Sequence, residues 1–510
     1  MLFVCAACSG DAARIDAASA VNTAPAPADA SAPDAARATA DAHANGDAMT
    51  RESPETPDSS KPSEAPARTR PRNWASFGGD LAHTHASPDE TAISAANVAQ
   101  LTAALDIAAP GVTSTPAVWD GVVYWADWAG NVHATNLADR RAIWDLDASA
   151  AHGGYTGSPM VSERLVYVAN RNGRLSALDR ALGSIVWEAK LDAGPATHIW
   201  SSPMVAEQDG VLVIGVAGQG TVDNGSFVPR SRLETLRGSI VGFDALTGKE
   251  LWRIATSPEP SGAGVSVWSS AALDTRRKLA FIGTGQNYYK PVSPLSDSLL
   301  AIDYLSGEIR WQEQYYKDDA WTAEEGGGID ADVAAAPNLF SENGRDLVGV
   351  GDKAGVYHAH DRETGAEVWS YSQYAPAPSS GGFIAPAAYR EGTLYMITNT
   401  NTNDAPAIVY ALRAADGVKL WSYKLSSMSW GAPAVANGVL FVGDQSGEIL
   451  ALNAANGSKL WSHQLPQGRA GGFSLYDGTL LTGYGFHHLD SMSEPIPGGL
   501  RAFSLKAVEP

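Results

Sequence analysis

The stretch Thr322-Ala323-Glu324-Glu325-Gly326-Gly327-Gly328-Ile329-Asp330-Ala331-Asp332 gathers four carboxylates on one glycine-rich loop. Carboxylates within reach of one another serve as general bases, or hold a hard cation through oxygen. Asp330 and Asp332 are spaced by two, so an extended segment turns both to the same side, and they are the first candidate pair for catalysis. The plain alternative is an acidic surface loop in a chain of net charge -20. His487-His488 offers two imidazoles, but adjacent residues of a strand point apart. There is no Gly-x-Ser-x-Gly elbow, and neither Gly326-Gly327-Gly328 nor Gly381-Gly382 opens a helical pattern that would make it a phosphate cradle.

The elements that must position these residues come from a repeat. Tryptophans close seven similar units, at Trp144, Trp187, Trp252, Trp311, Trp369, Trp421 and Trp461, with spacings of 43, 65, 59, 58, 52 and 40 residues. Such periods mark an array of supersecondary units. A unit begins with small residues (Gly157-Ser158-Pro159, Ser202-Pro203-Met204), then has a run such as Val439-Leu440-Phe441-Val442 and a hairpin such as Asp444-Gln445-Ser446-Gly447. A second run follows, and a turn such as Thr247-Gly248-Lys249-Glu250-Leu251 leads to the tryptophan. Short β-branched and aromatic runs punctuated by Gly, Asp and Asn are strands and hairpins, and four strands per unit make a propeller blade. An eighth unit, from Gly472 to Leu505, lacks the tryptophan. The expected fold is all-β, an eight-bladed β-propeller with four antiparallel strands per blade over residues 73–510. The stretch Leu101 to Ile107 would complete the last blade, leaving no open edge. The alternative is seven blades with the C-terminal residues packed outside.

Three tryptophans fall off the beat. Trp200, Trp268 and Trp430 stand at strand starts in units that already have their closing tryptophans. Blade construction does not need them. They are candidates to line the axial channel, either as plates for a flat ligand or as plain core aromatics.

The balance of 36 Lys+Arg against 56 Asp+Glu excludes a nucleic-acid partner, which needs a basic face. Cys5 and Cys8 are the only cysteines, so the propeller has no disulfide framework, no Cys-based zinc site and no Cys-x-x-Cys-His haem attachment. Residues 9–72 contain no Phe, Trp, Tyr or Leu and read as a disordered linker. Residues 1–8 look like the end of a lipoprotein signal whose start lies upstream, with Cys8 as the lipidated residue. The alternative is an accidental cysteine pair. A tether behind an anchor places the domain in the periplasm or at the cell surface, touching membrane only through Cys8.

Trp74-Ala75-Ser76-Phe77-Gly78-Gly79-Asp80, Ile93-Ser94-Ala95-Ala96-Asn97-Val98 and the Gly-x-x-x-Ala-Leu-Asp-x-x-x-Gly-x-x-x-Trp repeat, as from Gly173 to Trp187, carry a resemblance. The chain resembles the pyrroloquinoline quinone (PQQ) propeller family, and within it is similar to the propeller of polyvinyl alcohol dehydrogenases. The resemblance implies a quinoprotein oxidising a secondary or polymeric alcohol. With no haem motif, a separate cytochrome or quinone would accept the electrons. PQQ would lie on Trp268, with Trp430 and Trp200 as further walls and Lys353 beside the quinone; the alternative for Lys353 is a solvated hairpin residue. At the family's calcium and base positions the sequence departs. Gln286 and then Asn287 stand where the family has an asparagine ligand, no glutamate follows Val211-Leu212-Val213-Ile214-Gly215, and the base after Asp319-Ala320-Trp321 is Thr322. Gln286 and Asn287 remain as candidate calcium ligands, and Asp319, Asp330 and Asp332 as candidate catalytic carboxylates. A second reading follows from the same departures: a non-catalytic propeller acting as a binding or envelope assembly scaffold.

Overall fold

Each closing tryptophan faces a small residue across a β-bulge. Ala134, Ala177, Gly242, Ala301, Ala359, Ala411 and Ala451 oppose Trp144, Trp187, Trp252, Trp311, Trp369, Trp421 and Trp461 in turn. A bulge twists its strand, and the indole reaches across to the next blade. There Nε1 of Trp187 donates to the carbonyl of Ala245 at 3.0 Å, and that of Trp252 to Tyr304 at 2.8 Å. Trp144, Trp311, Trp369 and Trp421 do the same. The turn glycine of that next blade lies against the ring. A Cβ on Gly183 would come 2.5 Å from Trp144, and Gly183 has φ 71°. Glycine is thus demanded by both backbone and neighbour. The sequence signature of a turn glycine followed by a tryptophan is therefore an interlock between blades.

The computed structural model describes residues 73–147, 153–191, 197–218, 220, 222–223, 226–333, 335–373, 381–399, 406–486 and 496–505. Cys5, Cys8, the linker and His487-His488 lie outside them. The described residues form eight blades. The first runs from Ala117–Trp119 to Ala142–Asp147. The eighth holds Phe473–Tyr476, Thr479–Tyr484 and Pro497–Ser504, and Thr102–Pro110 pairs antiparallel with the last of these, Thr102 opposite Ser504. The ring closes as the sequence led one to expect, with an early strand completing the last blade. The third blade adds a short strand, Thr197–His198, against Val211–Gly218. Apolar residues of facing sheets fill the space between blades, as where Val166 and Val168 meet Tyr124 and Trp144.

Successive strands are antiparallel, so the loops leading into first strands and the hairpins joining second to third strands share one end of the ring. The other end is closed by the segment Trp74 to Glu90, whose backbone reaches blade after blade. Val118, Val161, Leu273, Leu339, Tyr389 and Val435 donate their N–H groups to the carbonyls of Trp74, Ala75, Leu81, Ala82, Thr84 and His85. His83 Nε2 meets Met204 Sδ at 3.5 Å in the third blade, and Glu90 accepts from Gly478 N in the eighth at 2.8 Å. One segment thus touches all eight blades, and Phe77 projects from it into the axial space. Among the described residues no helix is long and apolar enough to cross a membrane.

Candidate functional site

An axial cavity of about 160 Å³ opens above this plug. Trp128, Trp200, Trp268 and Trp430 wall it together with Phe486. Thus Trp200, Trp268 and Trp430 converge on one space. Below the indoles runs a ring of hydroxyls. The N–H of Gly472 donates to Thr115 Oγ1, that of Thr115 to Ser158 Oγ, that of Ser158 to Ser202 Oγ, and that of Ser202 to Ser270 Oγ, at 2.8–3.0 Å. These are the small residues that begin the blades, and their identity now has a reason: each hydroxyl satisfies a buried N–H of the adjoining blade. Ala336 interrupts the ring in the next blade.

Trp128 was not anticipated from the sequence. It is the second residue of the hairpin Asp127-Trp128-Ala129-Gly130, the counterpart of Asp352-Lys353-Ala354-Gly355 in the fifth blade. In both hairpins the aspartate caps the turn, accepting from Asn131 N and from Val356 N at 2.9 Å. Aligning the hairpins would have marked this second position as the variable one. In the second blade it is Arg171, which lies over the Trp128 ring at 4.8 Å.

Lys353 does not line the cavity; it is buried, with Nζ 2.6 Å from Asp330 Oδ1 and 3.0 Å from Asp332 Oδ2. Burial alone would lower its pKa, but the two carboxylates outweigh this and raise it above the ordinary lysine value. Asp330 and Asp332 are 0% and 6% exposed, so the solvated lysine is corrected, and the acidic surface loop holds only for Glu324 and Glu325, which are exposed. The pair converges for a different reason than strand alternation: Asp330 is left-handed, with φ 59°, and no strand runs through this segment. Asp319 shapes the loop, accepting from Ile329 N and Ala331 N at 2.8 Å each. Burial pushes the Asp319 carboxyl up. Gly328 fits because a Cβ there would strike Asp319. Four residues after Asp332, Ala336 reaches the cavity wall, so the carboxylate pair and the indoles belong to one end of the ring. Glu325 turns outward to Arg230 at 3.0 Å.

A further carboxylate, Asp297, is fully buried, and neither of its oxygens accepts a hydrogen bond by distance and angle. Burial first, and then Asp332 and Asp319, drive its pKa far up, against an opposing contribution from the Ser296 hydroxyl, with Asp330 adding less. Burial beside the other carboxylates thus favours its neutral form.

The residues at the family's calcium positions do not fit that ion. The Asn287 side chain is committed within the fold, its Nδ2 donating to Gly262 O and Ala263 O and its Oδ1 accepting from Ser293 N at 2.7 Å. Gln286 contributes its backbone N–H to Asp332 Oδ1 at 3.0 Å. Thr322 Oγ1 accepts from Glu325 N. Among the described residues, Asp297, Asp319, Asp330 and Asp332 supply no three oxygens within 4.8 Å of one another, and the Lys353 ammonium already stands between two of them. The aromatic walls do suit a flat ligand.

Eight four-stranded blades around a tryptophan-walled cavity plugged at one end define the class of protein. The profile described as glucose/ethanol/alcohol dehydrogenase, beta-propeller domain, matches residues 74–382, more than half of the chain, which therefore belongs to the PQQ β-propeller family. A profile of the outer membrane protein assembly factor BamB matches residues 352–483. Polyvinylalcohol dehydrogenase of a Pseudomonas species is 26% identical over 423 residues, 74% of this chain and 65% of that protein. The enzyme of the same name from Sphingopyxis sp. (strain 113P3) is 28% identical over 246 residues, 42% and 37% of the two chains. The chain thus spans less than two thirds of the length of these relatives. The crystal structure of quinohemoprotein alcohol dehydrogenase from Comamonas testosteroni shares the fold, with a TM-score of 0.71 at 20% identity over 87% of this chain and 82% of that one.

Proposed function

We propose that the protein is a PQQ-dependent, alcohol dehydrogenase-like quinoprotein that oxidises a secondary or polymeric alcohol and passes electrons to a separate cytochrome or quinone. The observation that carries this reading is the meeting of Trp200, Trp268 and Trp430 in one cavity, at the end of the ring that also holds the buried Lys353. When bound, PQQ supplies an ortho-quinone that takes two electrons from the alcohol. Trp268 offers the plate on which such a ring stacks, and Trp128, Trp200 and Trp430 exclude water around it. Lys353, outside the cavity lining, fixes Asp330 and Asp332 behind the site. Asp332, held by the Gln286 N–H and Lys353, takes the hydroxyl proton of the alcohol. No step is assigned to calcium. The same reading puts the protein in the periplasm or at the cell surface, anchored through Cys8, and the substrate class follows the names of its relatives.

The test is dye reduction by the full chain loaded with PQQ, with secondary alcohols and short polyvinyl alcohol oligomers as substrates. Turnover is expected, reduced by about 10²–10⁴ in Asp332→Asn, the usual contribution of a general base. Rates equal to the protein-free blank would overturn it. The Thr322 hydroxyl at the base position and the committed Asn287 favour the second reading, a binding or envelope assembly scaffold, which expects no dye reduction under any loading.

A further inference from the structure

On the outer half of the fifth blade, away from the axial cavity, His358 and His360 share one face of the strand Val356–Asp361, since side chains two apart point the same way. Glu367 begins the adjoining strand, Glu367–Ser372. The bulge that accommodates Trp369 sets Glu367 opposite His360, and its carboxylate also reaches His358, Oε2 lying 3.1 Å from Nδ1. One ligand atom from each of the three residues lies within 4.8 Å of the other two. No other group of three His, Cys, Asp or Glu does so among the described residues.

The surroundings are those of metal-binding imidazoles. A ligating histidine ordinarily has its second ring nitrogen held by a carboxylate, a carbonyl or water. The far nitrogen of His358, Nε2, meets Asp352 Oδ2 at 3.1 Å, and Asp352 is in turn contacted by the Tyr316 hydroxyl at 3.3 Å. His360 is oriented by Gly365 O at 3.0 Å on one nitrogen and by the Tyr315 hydroxyl at 2.8 Å on the other. The Tyr315 ring, from the fourth blade, stacks on His358 with centroids 3.9 Å apart. Both imidazoles are therefore fixed, while the Glu367 side chain is 46% exposed and leaves a way in from solvent.

We propose that His358, His360 and Glu367 form a site for a borderline divalent cation of the Zn2+ type, outside the quinone site and independent of it. Two imidazoles and one carboxylate are the donors that such ions prefer, and a tetrahedral ion with bonds of about 2.0–2.1 Å sets its ligands roughly 3.3 Å apart. The His358–Glu367 pair already has that spacing. His360 gives up one of its two hydrogen bonds to join, and water completes the shell from the exposed side. Calcium, an oxygen-seeking ion, is disfavoured. Binding would tie the third and outer strands of this blade to Tyr315 of its neighbour.

The experiment is calorimetric titration of the metal-stripped full chain with ZnCl2, repeated in excess CaCl2. One site is expected, unaffected by calcium and weakened at least tenfold in Glu367→Gln, whose exposed position preserves the fold. Co2+ loaded into the same site would show the intense visible absorption of four-coordinate cobalt, absent in His360→Gln. An isotherm unchanged by Glu367→Gln, whether it shows no binding or binding at other histidines, would overturn the site.

Discussion

Nζ of Lys353 lies 2.6 Å from Oδ1 of Asp330, and both side chains are buried. An ammonium shared by two buried carboxylates is a fixed charge arrangement, and removing its cation leaves two anions without compensation. Lys353→Met is expected to lower stability by about 3–5 kcal/mol at neutral pH, the usual result of breaking a buried pair. Removing one anion as well, in Lys353→Met/Asp330→Asn, should recover part of the deficit. Denaturant unfolding of the three proteins at pH 7.5 measures it; a double variant no more stable than Lys353→Met would mean lost packing rather than lost charge.

Asp297 gives the opposite pH signature. Its folded pKa is raised by burial, so the stability it contributes is full below the ordinary carboxylate value and is lost as the pH rises through the folded pKa. Asp297→Asn abolishes this loss. The variant should gain on the wild type by roughly 1–3 kcal/mol between pH 4 and 8, on the scale of an unpaired buried polar group. Unfolding midpoints across that range that run parallel would show that Asp297 is ionised and partnered.

His83 and His198 act at the acid end. Burial lowers both to about 4, so their stabilising contribution is present above the unfolded value of 6.5 and disappears as the pH falls from there to about 4. For His83 this is on the order of 3 kcal/mol. Since His83 sits in the segment that plugs the channel, hydrogen exchange at Trp74 to Glu90 should quicken ahead of the blades as the pH falls. Uniform exchange across the domain would contradict this.

Two glycines with similar backbones separate strain from crowding. Gly121, with φ 79°, has nothing within 4 Å of the place a Cβ would take, whereas Gly183, with φ 71°, has the Trp144 ring at 2.5 Å. Gly121→Ala should cost about 1 kcal/mol, and Gly183→Ala a further 1–3 kcal/mol or so, on the order expected from overpacking. Equal shifts in denaturation midpoint would remove the interlock as a source of stability.

The fold was legible because the ring repeats its own instructions. A small residue and a tryptophan recur in seven blades, with a turn glycine in six of them and Arg140 in its place in the first, and the run before the first blade was left over to complete the eighth. The site was legible only where it breaks the repeat. Trp200, Trp268 and Trp430 stood out as surplus, but Trp128 hid in a hairpin that looked ordinary. The burial of Asp330 and Asp332 could not be read, because it depends on the left-handed turn at Asp330 and on Asp319 gathering the loop from within. Asp297, in a serine-rich turn, gave no sign of lacking partners. The plug was visible as a motif and invisible as a role, since its contacts are backbone hydrogen bonds to blades far along the chain.

The central claim is that Trp268 is the plate of a quinone site, and quinone retention tests it most directly. The full chain, incubated with PQQ and gel-filtered, should keep one equivalent of quinone by its absorbance, and Trp268→Ala should lose it with an unchanged unfolding midpoint. Wild-type protein that keeps no quinone, or a Trp268→Ala variant that keeps as much, would contradict the account.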